Sequence, residues 1–238
     1  SLSYHKTDIT CLKFNPTQTN VLLSVSSDNE ISVWDVTHPE NGKRCSAGAI
    51  NRAVQGTITS VDWHKKSTLS SFFALCDSTG LCVVWDLRQN RSTHNFADST
   101  FKSELSDISF APVNSTLLAT ASSNPRNSVV SIWDLRNPTT PTRKLHGHTS
   151  GVSKLEWPAC DERILLSSGK DGNVIAWNTE SGEQLKTVFE SNSPVSQLSW
   201  SPHFHGAVLA SNLTGTQLYS FVDPAMGSGH ILIYAFDV

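Results

Sequence analysis

The stretch SIWDLRNPTTPTRKLHGHTSGV, from Ser131 to Val152, brings Asp134, Arg136, Arg143, His146 and His148 close together in the chain, and Ser167 and Asp171 follow downstream. A serine, a histidine and an aspartate could serve as nucleophile, general base and orienting acid of a hydrolase. The same groups could equally hold turns and strands in place. Trp177 bears on the choice, because a buried indole N–H also needs an acceptor and leaving a polar group unpaired inside a protein is costly. Chemistry of this kind is required once in a chain. A structural device recurs.

The pattern recurs five times. The segments begin at Ile9 (ITCLKFNPTQTNVLLSVSSDNEISVWDV), Ile58 (ITSVDWHKKSTLSSFFALCDSTGLCVVWDL), Leu105 (LSDISFAPVNSTLLATASSNPRNSVVSIWDL), Val152 (VSKLEWPACDERILLSSGKDGNVIAWNT) and Val195 (VSQLSWSPHFHGAVLASNLTGTQLYSF). Each reads as an alternating strand ending in an aromatic, a polar turn, an apolar strand, a tight turn, and a strand ending in a second aromatic. The first aromatics are Phe14, Trp63, Phe110, Trp157 and Trp200; the second are Trp34, Trp85, Trp133, Trp177 and Tyr219. Both series step along the chain at intervals of about 42 to 51 residues, near the repeat length of a four-stranded propeller blade. The fold class is all-β, a β-propeller with five recognisable blades and a partial one. SIWDLRN is then the end of a third strand, and Asp134, like Asp35 and Asp86, is expected to cap the turn that leaves it.

Other candidates fall into the same frame. SSGKDG lacks the spacing of a phosphate-binding loop and reads as a tight hairpin. His203 and His205 flank Phe204 in a turn, with no third metal ligand in view. The five cysteines, Cys11, Cys45, Cys76, Cys82 and Cys160, have no C-x-x-C spacing and read as free thiols in a reducing compartment. Asn114 and Asn212 stand in sequons that matter only in a secreted chain. No cofactor or metal is expected.

Composition narrows the partners. At 38% hydrophobic, the chain can build a core unaided; at 16% charged and a net charge of −3, it offers no basic patch for a nucleic-acid backbone. No apolar run is long enough to cross a bilayer.

The blades occupy residues 1–222, leaving 223–238 as a linker and a detached strand. HILIYAFDV alternates like a third strand, with Tyr234 in the aromatic position and Asp237 behind it, but lacks two preceding strands of its own. Val238 followed by Ser1 would read as one blade running into the next. The expectation is therefore that this strand packs on a blade before the first repeat. Five blades and a fragment leave an open side, so a parent propeller of seven blades is expected.

Two resemblances carry this further. The repeats are similar to those of WD-repeat propellers, in which His, Ser or Thr, Asp and Trp form a buried hydrogen-bonded chain across a blade. His148 and His5 each lie nine residues before the first aromatic of their blade; Ser167 and Ser24 lie ten before the second, and Asp171 and Asp28 six before it. The resemblance implies one tetrad of His148, Ser167, Asp171 and Trp177, and another of His5, Ser24, Asp28 and Trp34. The other three repeats lack the histidine, and Thr79 replaces the turn aspartate in the second. Those blades are expected to rely on packing.

The second resemblance is more specific. LLATASSNPRNSVVSIWDLRNPTTPTRKLHGHTSGV followed by ILLSSGKDGNVIAWNTESGEQL resembles the N-terminal WD-repeat propeller of the large outer-cage subunit of the COPII vesicle coat. The long SSNPRNS turn, the WDLRNPTTPTRKLHGH run and the change from WD to WN at Trp177 and Asn178 carry the match. It implies a non-enzymatic scaffold that makes cage-vertex contacts in budding from the endoplasmic reticulum. The implied partners are the small COPII propeller subunit and other outer-coat propellers. The implied location is the cytosolic face of endoplasmic reticulum exit sites and COPII vesicles, with membrane association only through the inner coat. A competing reading rests on Arg88 and Arg136, which both complete W-D-x-R on successive blades. Substrate receptors of cullin-type ubiquitin ligases carry such a pair to dock the ligase adaptor.

Overall fold

The computed structural model describes residues 5–38, 43–44, 54–98, 103–159, 161–201, 207–212, 215–220 and 234–237. Five four-stranded antiparallel sheets follow one another along the chain. Their first strands are Ile9–Phe14, Ile58–Trp63, Leu105–Phe110, Val152–Glu156 and Val195–Trp200. The second strands are Val21–Ser26, Phe72–Asp77, Leu117–Ser122, Ile164–Gly169 and Ala207–Asn212. The third are Ile31–Asp35, Leu81–Asp86, Val129–Asp134, Asn173–Asn178 and Gly215–Ser220. The outer strands are Lys43–Arg44, Arg91–Ala97, Arg143–His146, Gln184–Glu190 and Tyr234–Asp237. First strands of successive sheets adjoin one another, as the inner strands of a propeller do. The chain is an all-β WD-repeat propeller of five blades.

The second and third strands of the middle blades are buried on both faces because each is sandwiched between neighbouring blades. Trp63, Trp85, Trp133 and Trp177 are among the largest fully buried side chains, and each such burial contributes about 2–3 kcal/mol. Tight hairpins join the strands. At Asp171–Gly172 the glycine takes φ +82°, and a Cβ there would collide with the Ser191 carbonyl oxygen.

Exposure of equivalent residues shows where the blades end. Ile58, Val61 and Trp63 in the second blade are 4%, 0% and 1% exposed, whereas Ile9, Leu12 and Phe14 in the first are 50%, 55% and 59% exposed. In the fifth blade Leu209 is 40% exposed, while Leu166 at the same position in the fourth is 0% exposed. The outward face of the first blade is thus apolar and open, and in the fifth blade Leu209 is exposed.

The terminal strand lies elsewhere than its sequence suggests. Tyr234–Asp237 pairs with the third strand of the fifth blade, Tyr219 opposite Ala235 and Leu218 opposite Phe236, and completes that blade as its fourth strand. It does not pack on a blade before the first. Period-2 alternation marks a strand but does not name its partner. Residues 223–233 lie outside those described, as do Cys45, Cys160, His203 and His205.

Candidate functional site

The fourth blade holds the most complete polar network. The Trp177 indole N–H donates to Ser167 Oγ at 2.7 Å, and Ser167 Oγ lies 2.7 Å from His148 Nε2. His148 Nδ1 meets both Asp171 oxygens at 3.1 Å. Thr149 and Asn173 donate backbone N–H groups to the same carboxylate at 2.8 and 3.1 Å. Only one proton arrangement satisfies every member. The indole donates to the serine, the serine hydroxyl to Nε2, and Nδ1–H to the carboxylate, so the imidazole is neutral. Burial pushes the His148 pKa below its ordinary value, outweighing the nearby Asp171 charge. Burial would raise Asp171, but the Thr149 N–H, the His148 ring and the Asn173 N–H together hold it below the usual carboxylate range.

The order of groups is that of a hydrolase triad, but its reactive end is closed. Ser167 is fully buried and its oxygen already accepts the indole proton. Gly169 makes the arrangement possible: a Cβ there would press into Asp171 Oδ1 and His148 Nδ1. The glycine that makes SSGKDG look like a phosphate loop instead clears space for the tetrad.

In the first blade the structure brings together three of the four expected residues. His5 Nε2 lies 2.6 Å from Ser24 Oγ, which accepts the Trp34 indole N–H at 2.8 Å. Asp28 does not reach His5; it accepts from Ser26 Oγ and the Glu30 N–H instead. Among the described residues His5 Nδ1 has no hydrogen-bond partner.

The second and third blades use different residues. In the third, Thr120 Oγ1 accepts the Trp133 indole N–H at 3.0 Å. In the second, Leu75 stands at the position that Ser24 and Ser167 occupy in their blades, and among the described residues the Trp85 N–H has no hydrogen-bond partner. Asp77 holds that blade: one oxygen accepts from Thr79 N–H, Thr79 Oγ1 and Leu81 N–H, the other from the N–H groups of Gln55 and Gly56. The turn aspartate sits two residues before Thr79, so packing alone is not what holds this blade.

Carboxylates also tie the blades together. Asp62 accepts the Phe110 N–H at 2.9 Å across the seam between second and third blades, and pairs with Lys65 at 2.7 Å. Asp107 accepts the Leu155 N–H at 2.8 Å across the next seam, and meets Ser60 Oγ and Lys154 Nζ. The first aromatics contribute as well: Trp63 donates to the Lys13 carbonyl at 2.9 Å and Trp200 to the Glu156 carbonyl at 3.4 Å, each one blade back. These seam residues were missed in the sequence. The available signal was an acid inside an otherwise buried strand.

The rim arginines differ from one another. The aspartates of the WD pairs cap their turns: Asp35 accepts the Thr37 N–H, Asp86 the Arg88 N–H and Asp134 the Arg136 N–H. Hydrogen bonds from Thr37 hold the Asp35 pKa down to about 2, and the Arg136 side chain does the same for Asp134. Arg136 grips Asp134 through Nε and Nη2, while Arg88 stands exposed beyond its own turn. Cys76 and Cys82 face each other as buried thiols, and burial pushes Cys76 up to about 12. Among the described residues no group of three or more His, Cys, Asp or Glu is placed to hold a metal ion.

Blade count, register and the fourth-blade tetrad define a WD-repeat propeller, and the model of the WD domain, G-beta repeat, matches residues 1–35 and 139–178. Within that class the chain is related to the Sec31 proteins. It is 36% identical over 192 residues to protein transport protein SEC31 of Saccharomyces cerevisiae, covering 77% of this chain and 15% of that protein. It is 34% identical over 199 residues to the SEC31 of Candida glabrata, and 29% identical over 231 residues to Sec31A of Danio rerio. A solved structure described as COPII on membranes, outer coat vertex, superposes with a TM-score of 0.82 at 27% identity, covering 98% of this chain and 63% of that one. The chain spans 15% to 17% of the length of these three relatives. The resemblance to the outer-cage propeller of the COPII coat, read first from the third and fourth repeats, therefore extends over most of the chain.

Proposed function

We propose that this propeller is a non-enzymatic scaffold of the COPII outer coat, making contacts at cage vertices during vesicle budding from the endoplasmic reticulum. The observation that carries this reading is the superposition of 98% of the chain on a protein of the outer coat vertex, together with 36% identity to SEC31. The internal geometry supports the same reading. The fourth-blade arrangement that resembles a catalytic triad is buried and fully hydrogen-bonded, and serves the blade. Function then resides on the surface, where individually weak contacts become effective when many are made at once on a membrane.

The proposal extends to partners, location and ring closure. The partners are the small COPII propeller subunit and other outer-coat propellers, with attachment to the endoplasmic reticulum exit site through the inner coat. Ile9, Leu12 and Phe14 on one side, and Leu209 on the other, are the faces on which further blades continue the ring toward seven. Affinity capture of the full-length protein tests the reading: the small COPII propeller subunit co-purifies under mild salt. Its absence, with a ligase adaptor captured instead, would overturn the assignment. The ligase reading is the weaker one, because Arg136 is engaged by its own Asp134.

A further inference from the structure

A proline follows a serine or a threonine at Thr140-Pro141, Ser193-Pro194 and Ser201-Pro202. Only the first pair has a basic residue two places past its proline. Arg143 stands there, whereas Ser196 and Phe204 hold the equivalent positions of the others.

The structure separates the three further. Thr140 lies in the turn between the third strand of the third blade, which ends at Asp134, and the outer strand, which begins at Arg143. Its side chain is exposed, and among the described residues its hydroxyl has no hydrogen-bond partner. The backbone groups of residues 138–141 likewise make no hydrogen bond among the described residues. The flanking ties are the Asn137 N–H to the Asp134 carbonyl at 3.0 Å and the Thr142 N–H to the Ile132 carbonyl at 2.8 Å. Pro138 and Pro141 have no N–H to satisfy. Such a stretch leaves the surface at small cost, because no ladder bond breaks. Pro141 also biases Thr140 toward extended backbone.

Arg143 offers a charge that no neighbour has taken. It is exposed and has no ion pair among the described residues, whereas Arg136 is held by Asp134 and Lys144 by Asp98. The other two sites are tied down. Ser193 Oγ lies 3.2 Å from Ser191 Oγ, which also accepts the Ser193 N–H at 3.1 Å. Pro194 runs directly into Val195, 0% exposed at the start of an inner strand. Ser201 donates its N–H to the Ala207 carbonyl at 2.8 Å.

We propose that Thr140 is a phosphorylation site for a proline-directed serine/threonine kinase that reads a basic residue three places beyond its acceptor. Thr140 Oγ1 attacks the γ-phosphorus of magnesium-bound ATP. The bond from that phosphorus to the bridging oxygen breaks, ADP leaves, and the hydroxyl proton passes to the catalytic aspartate of the kinase. The product carries a charge of about −1.5 to −2 on the turn that leads into Arg143, which reverses the local sign of this rim. The inference does not depend on the coat assignment, since it rests on the turn and its residues alone.

Incubation of the purified full-length protein with magnesium, ATP and a cyclin-dependent kinase tests it, read by site-resolved phosphopeptide mass spectrometry. Phosphate accumulates on Thr140, and Ser193 and Ser201 are labelled at least roughly tenfold more slowly. Arg143→Gln, at an exposed site, slows transfer to Thr140 about tenfold. Pro141→Ala abolishes it, and Thr139→Val leaves it unchanged. Circular dichroism checks that each variant is folded; should Pro141→Ala unfold, Arg143→Gln carries the test. Absence of phosphate on Thr140, its appearance only in protein denatured by heat beforehand, equal labelling of Ser193 or Ser201, or a rate unchanged by Arg143→Gln would each overturn the proposal.

Discussion

The Trp63 indole N–H, in the second blade, donates to the Lys13 carbonyl in the first at 2.9 Å. Trp200 repeats the contact onto Glu156 from fifth blade to fourth. In the second and fifth blades the first aromatic therefore joins the blade to its predecessor, whereas the Trp157 N–H of the fourth blade has no hydrogen-bond partner among the described residues. Phe14 and Phe110 occupy the same position without an N–H, so a phenyl ring is compatible with the site. Trp63→Phe is expected to lower unfolding free energy by about 1–2 kcal/mol, from the lost hydrogen bond and a small loss of packing. Urea denaturation measures this. An unchanged midpoint would show that the seam does not depend on the bond.

Gly169 gives a sharper test of the fourth-blade tetrad. A methyl group there would force His148 and Asp171 apart. The consequence is partial loss of a buried network, in which the Ser167 hydroxyl and the Asp171 carboxylate lose their common partner. Gly169→Ala is expected to cost about 2–3 kcal/mol. The added methyl would otherwise stabilise a strand, so even a neutral result in thermal denaturation contradicts the tetrad account.

The same network predicts a pH response. His148 is neutral in the folded protein, with its pKa depressed below 6.5, so the unfolded chain binds more protons as pH falls through that value. Its contribution is present above about pH 6.5 and is lost on acidification. Asp171, also depressed, adds stability above its ordinary carboxylate range that is lost as pH falls through its folded value. Both effects have the same sign. His64, depressed mainly by burial, adds to the first. These groups lower unfolding free energy between pH 7 and pH 5, so His148→Gln should lose less of it over that range than the unsubstituted protein does. Urea titrations across this range provide the measurement, and an unchanged slope in the variant would contradict a neutral His148.

Repeat spacing made the blades legible because each tryptophan and hairpin recurs in register with a local turn. His148, Ser167, Asp171 and Trp177 could be read for the same reason. Asp28 could not: its spacing matches Asp171, yet Ser26 and the Glu30 N–H hold it away from His5. Asp77 was hidden because it replaces the tetrad with backbone contacts that have no fixed side-chain signature. Asp62 and Asp107 act between blades, so their partners emerge only when adjacent repeats are placed side by side. The terminal strand was misread because pairing depends on which open edge lies within reach, and alternation alone does not specify that.

Among the described residues Glu156 is the carboxylate whose pKa moves toward neutrality. Burial pushes it up to about 7, against the opposing charges of Lys13 and Lys65. In the folded state it holds its proton where the unfolded chain has lost it, so its ionisation costs stability as pH rises from the ordinary carboxylate range through about 7. This sign is opposite to that of His148 and Asp171, so between about pH 5 and 7 the Glu156 trend offsets that of His148. Glu156→Gln keeps the shape and removes the ionisation. Lys13, held above its ordinary value by nearby carboxylates, retains Asp62 and Asp107 as countercharges in the variant. The substitution should therefore raise the melting temperature at pH 8 and leave it nearly unchanged at pH 5. Differential scanning calorimetry at the two values provides the comparison. A variant destabilised more at pH 8 than at pH 5 would instead show that ionised Glu156 is a needed partner of Lys13.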